Sequence, residues 1–173
     1  MAYSVNYVVQ EDRIGVQSIS TISTTKNHLL GTIVRATDTG SAAYGSGEFI
    51  YLLGVASTVQ GSWVSYNLDN GGTALLDSAT SHIGPVGVAM AANVASSYGW
   101  YQISGKTVGK ALAAFADNGL TWATTTPGSV DDAVNDGYMV HLAKGASALD
   151  TPATGFAEFE ISRPYTDGIA GND

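Results

Sequence analysis

The chain contains no cysteine, which excludes disulfide staples and thiolate metal sites and leaves the core to hold by packing alone. Charge is scarce too: 13% of the 173 residues are charged, about half the usual share. Seven basic residues stand against fifteen acidic ones, for a net charge of -8. Phosphate binding needs grouped Lys and Arg, and these seven are scattered, so nucleic acid is excluded as a partner. No stretch approaches the roughly 20 apolar residues of a membrane span, and Met1 to Asp12 has no basic region leading into an apolar one. The reading is a soluble chain made without a secretory signal.

Catalytic signatures are missing as well. There is no Gly-x-Ser-x-Gly elbow and no phosphate-cradling Gly-Lys-Ser/Thr loop, and His28, His82 and His141 lie far apart without zinc-site spacing. The expectation is a protein that is not an enzyme and carries no cofactor or metal. Three constellations test it. Glu158 and Glu160, two apart on a strand and about 7 Å from each other, have a glycosidase-like separation, but like charges are also the normal solvated face of an edge strand. Asp131, Asp132 and Asp136 resemble a calcium cluster only loosely, because their spacing is not that of an EF-hand loop, and turn and cap roles explain them. Trp63, Trp100 and Trp122 with nine tyrosines suit a sugar-binding platform, and equally a core or subunit interface.

What is present is packing surface, with 45% hydrophobic residues and 21 glycines. Two aromatic-aliphatic runs, Gly47 to Ser57 and Tyr98 to Lys106, read as strands closed by glycine. Phe49, Tyr51, Trp100 and Tyr101 within them are expected at the centre of the core or at a subunit interface. Tyr3, Val5, Tyr7 and Val9 alternate with smaller or polar residues and predict an extended arm. Gln17 to Asn27 is dominated by Ser and Thr and reads as an extended linker. Val86, Val88 and Met90 alternate with Gly87, Ala89 and Ala91, leaving a small face that another layer or subunit can approach. Ala157, Phe159 and Ile161 alternate with the glutamates in a final strand that Pro164 is expected to end.

Turn chemistry separates these runs. Asp69-Asn70-Gly71-Gly72 and Thr126-Pro127-Gly128-Ser129 predict chain reversals. Gln60-Gly61, Asn118-Gly119 and Asp136-Gly137 each precede a strand with a bulky residue three places on, the sign of successive hairpins. Val108, Leu112 and Phe115 have helical spacing, interrupted by Gly109, and suggest one helical turn around Ala113 to Asp117. The predicted fold is all-β: a compact small barrel or sandwich of short antiparallel strands with an extended N-terminal arm. Residues 1–27 form the arm and linker, 28–166 the β domain and 167–173 a frayed acidic tail. Charge is uneven along it. The first 60 residues hold three basic and four acidic groups and the remainder the other four and eleven, which suggests a near-neutral docking end and an acidic face toward water.

The succession His28 to Ala36, Tyr44 to Leu52, Gly54 to Thr58, Val86 to Met90 and Tyr98 to Ile103 resembles a family of small structural proteins of tailed bacteriophages, similar to capsid decoration (cement) proteins. The resemblance covers roughly residues 28 to 165. It implies a virion protein made in the bacterial host cytoplasm and bound to the outer capsid surface. Its partner would be the major capsid protein, and it would act as a homotrimer that bridges capsomers and stabilises the head, with no nucleic-acid or membrane contact. The arm residues Tyr3, Val5, Tyr7 and Val9 are the expected capsid contact, by strand addition to an exposed edge. The alternatives are a phage fibre or surface module that binds carbohydrate through exposed aromatics, and a glycoside hydrolase using the glutamate pair.

Overall fold

Eleven strands and no helix make up the described residues. The computed structural model of the chain describes residues 7–9, 16–40, 43–135 and 138–168. In chain order the strands are β1 (Tyr7–Val9), β2 (Ile33–Asp38), β3 (Ser46–Leu53), β4 (Trp63–Tyr66), β5 (Thr73–Leu75), β6 (Gly84–Ala89), β7 (Tyr98–Lys110), β8 (Leu120–Ala123), β9 (Val130–Asp131), β10 (Met139–Gly145) and β11 (Phe156–Thr166). They form one sheet in the order β1-β2-β3-β7-β6-β11-β10-β8-β9, with β4 joined to β6 and β5 to β4. Every pairing between strands is antiparallel. The fold is all-β, as the alternation and turn chemistry predict.

β7 organises the whole. Its first half pairs with β3 and its second half with β11. The change of partner falls at Gly105, whose φ of 102° is open to glycine but strained for other residues. Two single bridges then draw distant parts of the sheet together. Leu53 bridges Gly72, bringing β5 back to β3, and Ala111 bridges Val130, bringing β9 back to the end of β7.

Three buried clusters follow from this curl. Ile50, Leu52, Val64, Ala89, Tyr101 and Ile103 form one beside the Leu53–Gly72 bridge. Trp63, Val86 and Val88 meet Phe115, Val140 and Phe159 in a second. Phe49, Tyr51 and Trp100 form a third on the opposite face of β3 and β7 from Ile50 and Tyr101. Strands buried on both faces need apolar side chains at successive positions, which is why Phe49 to Leu53 reads as a continuous run. The small side of β6 is filled from within the chain: a Cβ on Gly87 would lie 3.3 Å from Cβ of Tyr101.

Several expectations are corrected. The 17–27 segment is not a free linker: Ile19 is 1% exposed in the third cluster, and Ser23 exchanges backbone hydrogen bonds with Tyr98. Gln17, Thr21 and Ser23 hydrogen-bond its own backbone with their side chains, which holds it as a strap over the cluster. No helical turn forms at 113–117, because Ala114 takes a φ of 70° and swings Phe115 into the second cluster. Pro164 does not end β11, which runs to Thr166. The irregular register against β10 between His141 and Ala143, with Leu142 and Arg163 at positive φ, accommodates a proline that cannot donate to the ladder. The turns at 67–72 and 126–129 do fall where predicted, with Gly71 N–H donating to Asn67 and Ser129 N–H to Thr126. Of the expected tail 167–173, residues 169–173 lie outside the described residues, and Gly168 is held by Ser81 Oγ, which donates to its carbonyl at 2.7 Å.

Candidate functional site

Phe49, Tyr51, Trp100 and Tyr101 are all between 0 and 1% exposed. They are core residues of a single chain and offer no surface to a neighbour. Trp63 is buried as completely and Trp122 half so, so the tryptophans form no exposed sugar platform.

At the N-terminal edge, Tyr3 and Val5 lie outside the described residues. Tyr7 and Val9 are half-buried against the Phe49 cluster, and only Val8 between them is well exposed. The Tyr7 ring stands edge-on to Phe49 at 4.7 Å, and its hydroxyl donates to the Lys106 carbonyl at 3.3 Å. Burial pushes its ionisation far above the usual phenol range. Two of the four expected arm residues therefore fasten the chain to the body. β1 hydrogen-bonds to β2 on one side, and the sheet order ends with it.

The candidate catalytic groups each have other partners. β11 is an interior strand, not an edge, with β7 and β10 on its two sides. Glu158 pairs with Lys106 at 2.7 Å and accepts from the Tyr44 hydroxyl at 3.1 Å, while Glu160 pairs with Lys144 at 3.4 Å. Asp132 accepts the Ala116 N–H and Asp131 the Asp132 N–H, which are cap and turn roles; Asp136 lies outside the described residues. Among the described residues no three His, Asp or Glu side chains gather as a metal site. His28 packs on Tyr51 and Trp100, and His141 stacks on Tyr165 beside Asp167. His82 Nδ1 lies 2.8 Å from Ser65 Oγ, and its Nε2 lies 3.7 Å from Asp77 Oδ1. That last gap is too long for a hydrogen bond, and Asp77 Oδ1 already caps Ala79 and Thr80. The trio braces the 77–82 loop.

A carboxylate clamp occupies the surface where β2 and β3 meet β11. Glu48 Oε1 accepts from Arg35 Nε and Nη2, and Oε2 from Arg163 Nε and Nη2, at 2.9 to 3.3 Å. Burial alone would raise the Glu48 pKa, but the hydrogen bonds and charges of Arg163 and Arg35 outweigh it and hold it below the ordinary carboxylate range.

A concave surface lies between the β4–β5 hairpin and residues 81–85. One cleft of about 350 Å³ is bordered by Tyr66, Asn67, Asn70, Thr73 and Ile83, with Ser65 and His82 also lining it. A second of about 330 Å³ shares Tyr66, Asn67 and Ile83 with it and adds Leu68 and Pro85. Together they form one groove. Ile83 and Leu68 are 73% and 64% exposed. Sequence reasoning missed this groove because its residues come from separate turn-like segments. The available signal was Leu68 and Ile83, bulky apolar residues where turn chemistry favours polar ones. Comparison of the chain with protein-family models, curated proteins and solved structures finds no match.

Proposed function

We propose that the protein is a structural component of a phage head: it binds the outer surface of the shell, bridges capsomers as a trimer, and stabilises the capsid without a chemical step. The resemblance of residues 28 to 165 to phage decoration proteins motivates this reading. The observation that carries it is β1, which ends the sheet order among the described residues, is fastened by Tyr7 to the core and follows the alternating Tyr3 and Val5 in the sequence. A strand of another protein can add beside the terminal strand of a sheet, main-chain hydrogen bonds supplying the affinity. Binding at repeated sites through three such arms turns modest single-site affinity into tight attachment. The pairing of Glu158 and Glu160 with lysines further supports a non-enzymatic role.

The test is to mix purified protein with heads lacking decoration and image them by cryo-electron microscopy. Ordered density on the outer shell is expected with the full chain and none with a chain lacking residues 1–6. Equal occupancy by both would overturn arm-mediated attachment, and absence of density with the full chain would overturn the head-binding role.

A further inference from the structure

We infer that the groove beside the β4–β5 hairpin is a binding site for a neutral oligosaccharide. Its lining carries little charge on a protein of net charge -8. Among the described residues that line it, His82 and Tyr66 are the titratable side chains, and His82 is engaged by Ser65. The polar groups are hydroxyls and amides, which match the hydroxyls of a sugar without requiring a counter-charge. Asn67 and Asn70 each turn their Oδ1 inward to accept a backbone N–H, from Asp69 and Gly72 at 2.8 Å. Each amide therefore keeps an Nδ2 donor to offer a ligand. Tyr66 belongs to both halves of the groove and combines an apolar ring with a polar tip, the pairing that an amphipathic sugar ring needs. Ile83 and Leu68 supply further apolar surface. Each half has the volume of a small-ligand site, and their continuity suits a chain of sugar rings better than one.

The groove does not reach the proposed head-binding edge: its Gly72 and Thr73 meet Leu53 of β3, and β2 and β3 lie between them and β1. A glycan site there does not involve β1, so the two roles are tested independently and neither result decides the other.

The experiment is titration of the ¹⁵N-labelled full chain with cellotetraose, maltotetraose and the N-acetylglucosamine tetramer, with a sulfated tetrasaccharide as the charged control. At least one neutral sugar is expected to give saturable shifts confined to residues 65–74 and 81–85, including the Asn67 and Asn70 side-chain amides, with a Kd of about 1 mM or tighter. Tyr66→Ala should weaken binding at least about tenfold. Ile83→Glu, at an exposed position that leaves the core intact, should do the same and guards against a Tyr66 variant that does not fold. No saturable shift with any neutral tetrasaccharide, tighter binding of the sulfated control, or unchanged affinity in Ile83→Glu would each overturn the inference.

Discussion

Tyr51 and Trp100 face each other directly across β3 and β7 with ring centroids 5.0 Å apart, and both are tied to Gln17 outside the sheet. The Tyr51 hydroxyl donates to Gln17 Oε1 and the Trp100 indole N–H to the Gln17 carbonyl, each at 2.9 Å. The two aromatic runs that stand out in the sequence are thus one paired unit, locked by the strap. Trp100→Ala should destabilise the fold by about 3–5 kcal/mol, the usual cost of deleting a buried large aromatic. Gln17→Ala removes the Oε1 that accepts from Tyr51 and Asn27 and the Nε2 that donates to the Thr21 and Tyr98 carbonyls, but leaves the backbone carbonyl, so about 1–2 kcal/mol is expected for these partly exposed bonds. Urea denaturation of both variants checks the ratio. A Gln17 effect near zero would mean that the strap is not coupled to the core.

Tyr7 gives a second test. Its ring packs on Phe49 and its hydroxyl reaches Lys106, so Tyr7→Ala should lower stability by about 2 kcal/mol or more. Equal melting of Tyr7→Ala and the parent would show that β1 adds nothing to the body.

Much of this architecture is legible in the sequence, and the exceptions share a cause. Ala157, Phe159 and Ile161 announce the buried face of β11 by period alone, and Asn70-Gly71 and Pro127-Gly128 announce their turns, because local sterics decide both. Ile19 is not announced: a lone isoleucine among serines and threonines has no period, and it is buried because Gln17 reaches Tyr51 and Trp100 across the fold. Phe115 has helical spacing, but its docking on Phe159 at 5.0 Å overrides it. The groove is illegible for the same reason, since Tyr66, Asn70 and Ile83 meet through tertiary structure.

Glu48 should make stability depend on acid pH. Its pKa is lowered in the fold from the ordinary 4.5. Its contribution is therefore present above that value and is lost as pH falls through the lower folded value. Glu48→Gln should flatten the acid limb of a stability-pH curve, the difference between parent and variant shrinking as pH falls through the lowered folded value. Parallel curves for parent and variant would rule out the clamp as an acid-sensitive contact.

At the alkaline end the buried tyrosines act in the opposite sense. Burial pushes the Tyr101 phenol up to about 12, outweighing the opposing hydrogen bonds from Thr73 and Asn93. Tyr44 is raised further, by burial and by the adjacent Glu158. A folded value above the unfolded one means that stability is fully present below about pH 10 and falls as pH rises toward 12. Phenolate absorbance should show these groups still protonated at about pH 11 in the folded protein and titrating together with unfolding. Full, reversible ionisation of all nine tyrosines near pH 10 with the fold intact would refute their burial.

Gly54 closes the first aromatic strand, and close approach explains why no other residue fits. A Cβ there would lie 2.0 Å from the Asn93 carbonyl oxygen and 2.5 Å from that of Val94, both backbone atoms. The same loop is fixed from the other side, where Asn93 Nδ2 donates to the Tyr101 hydroxyl at 2.9 Å and Gly54 N–H to the Ser97 carbonyl at 2.8 Å. The backbone cannot retreat without breaking those bonds. Gly54→Ala should therefore destabilise by about 3 kcal/mol or more, beyond the typical point substitution. Gly155→Ala, where nothing lies within 4 Å but φ is 80°, should cost only the backbone strain of about 1–2 kcal/mol. Thermal melts of the two variants separate the terms: equal losses would mean that strain, not the Asn93 contact, decides the residue at position 54.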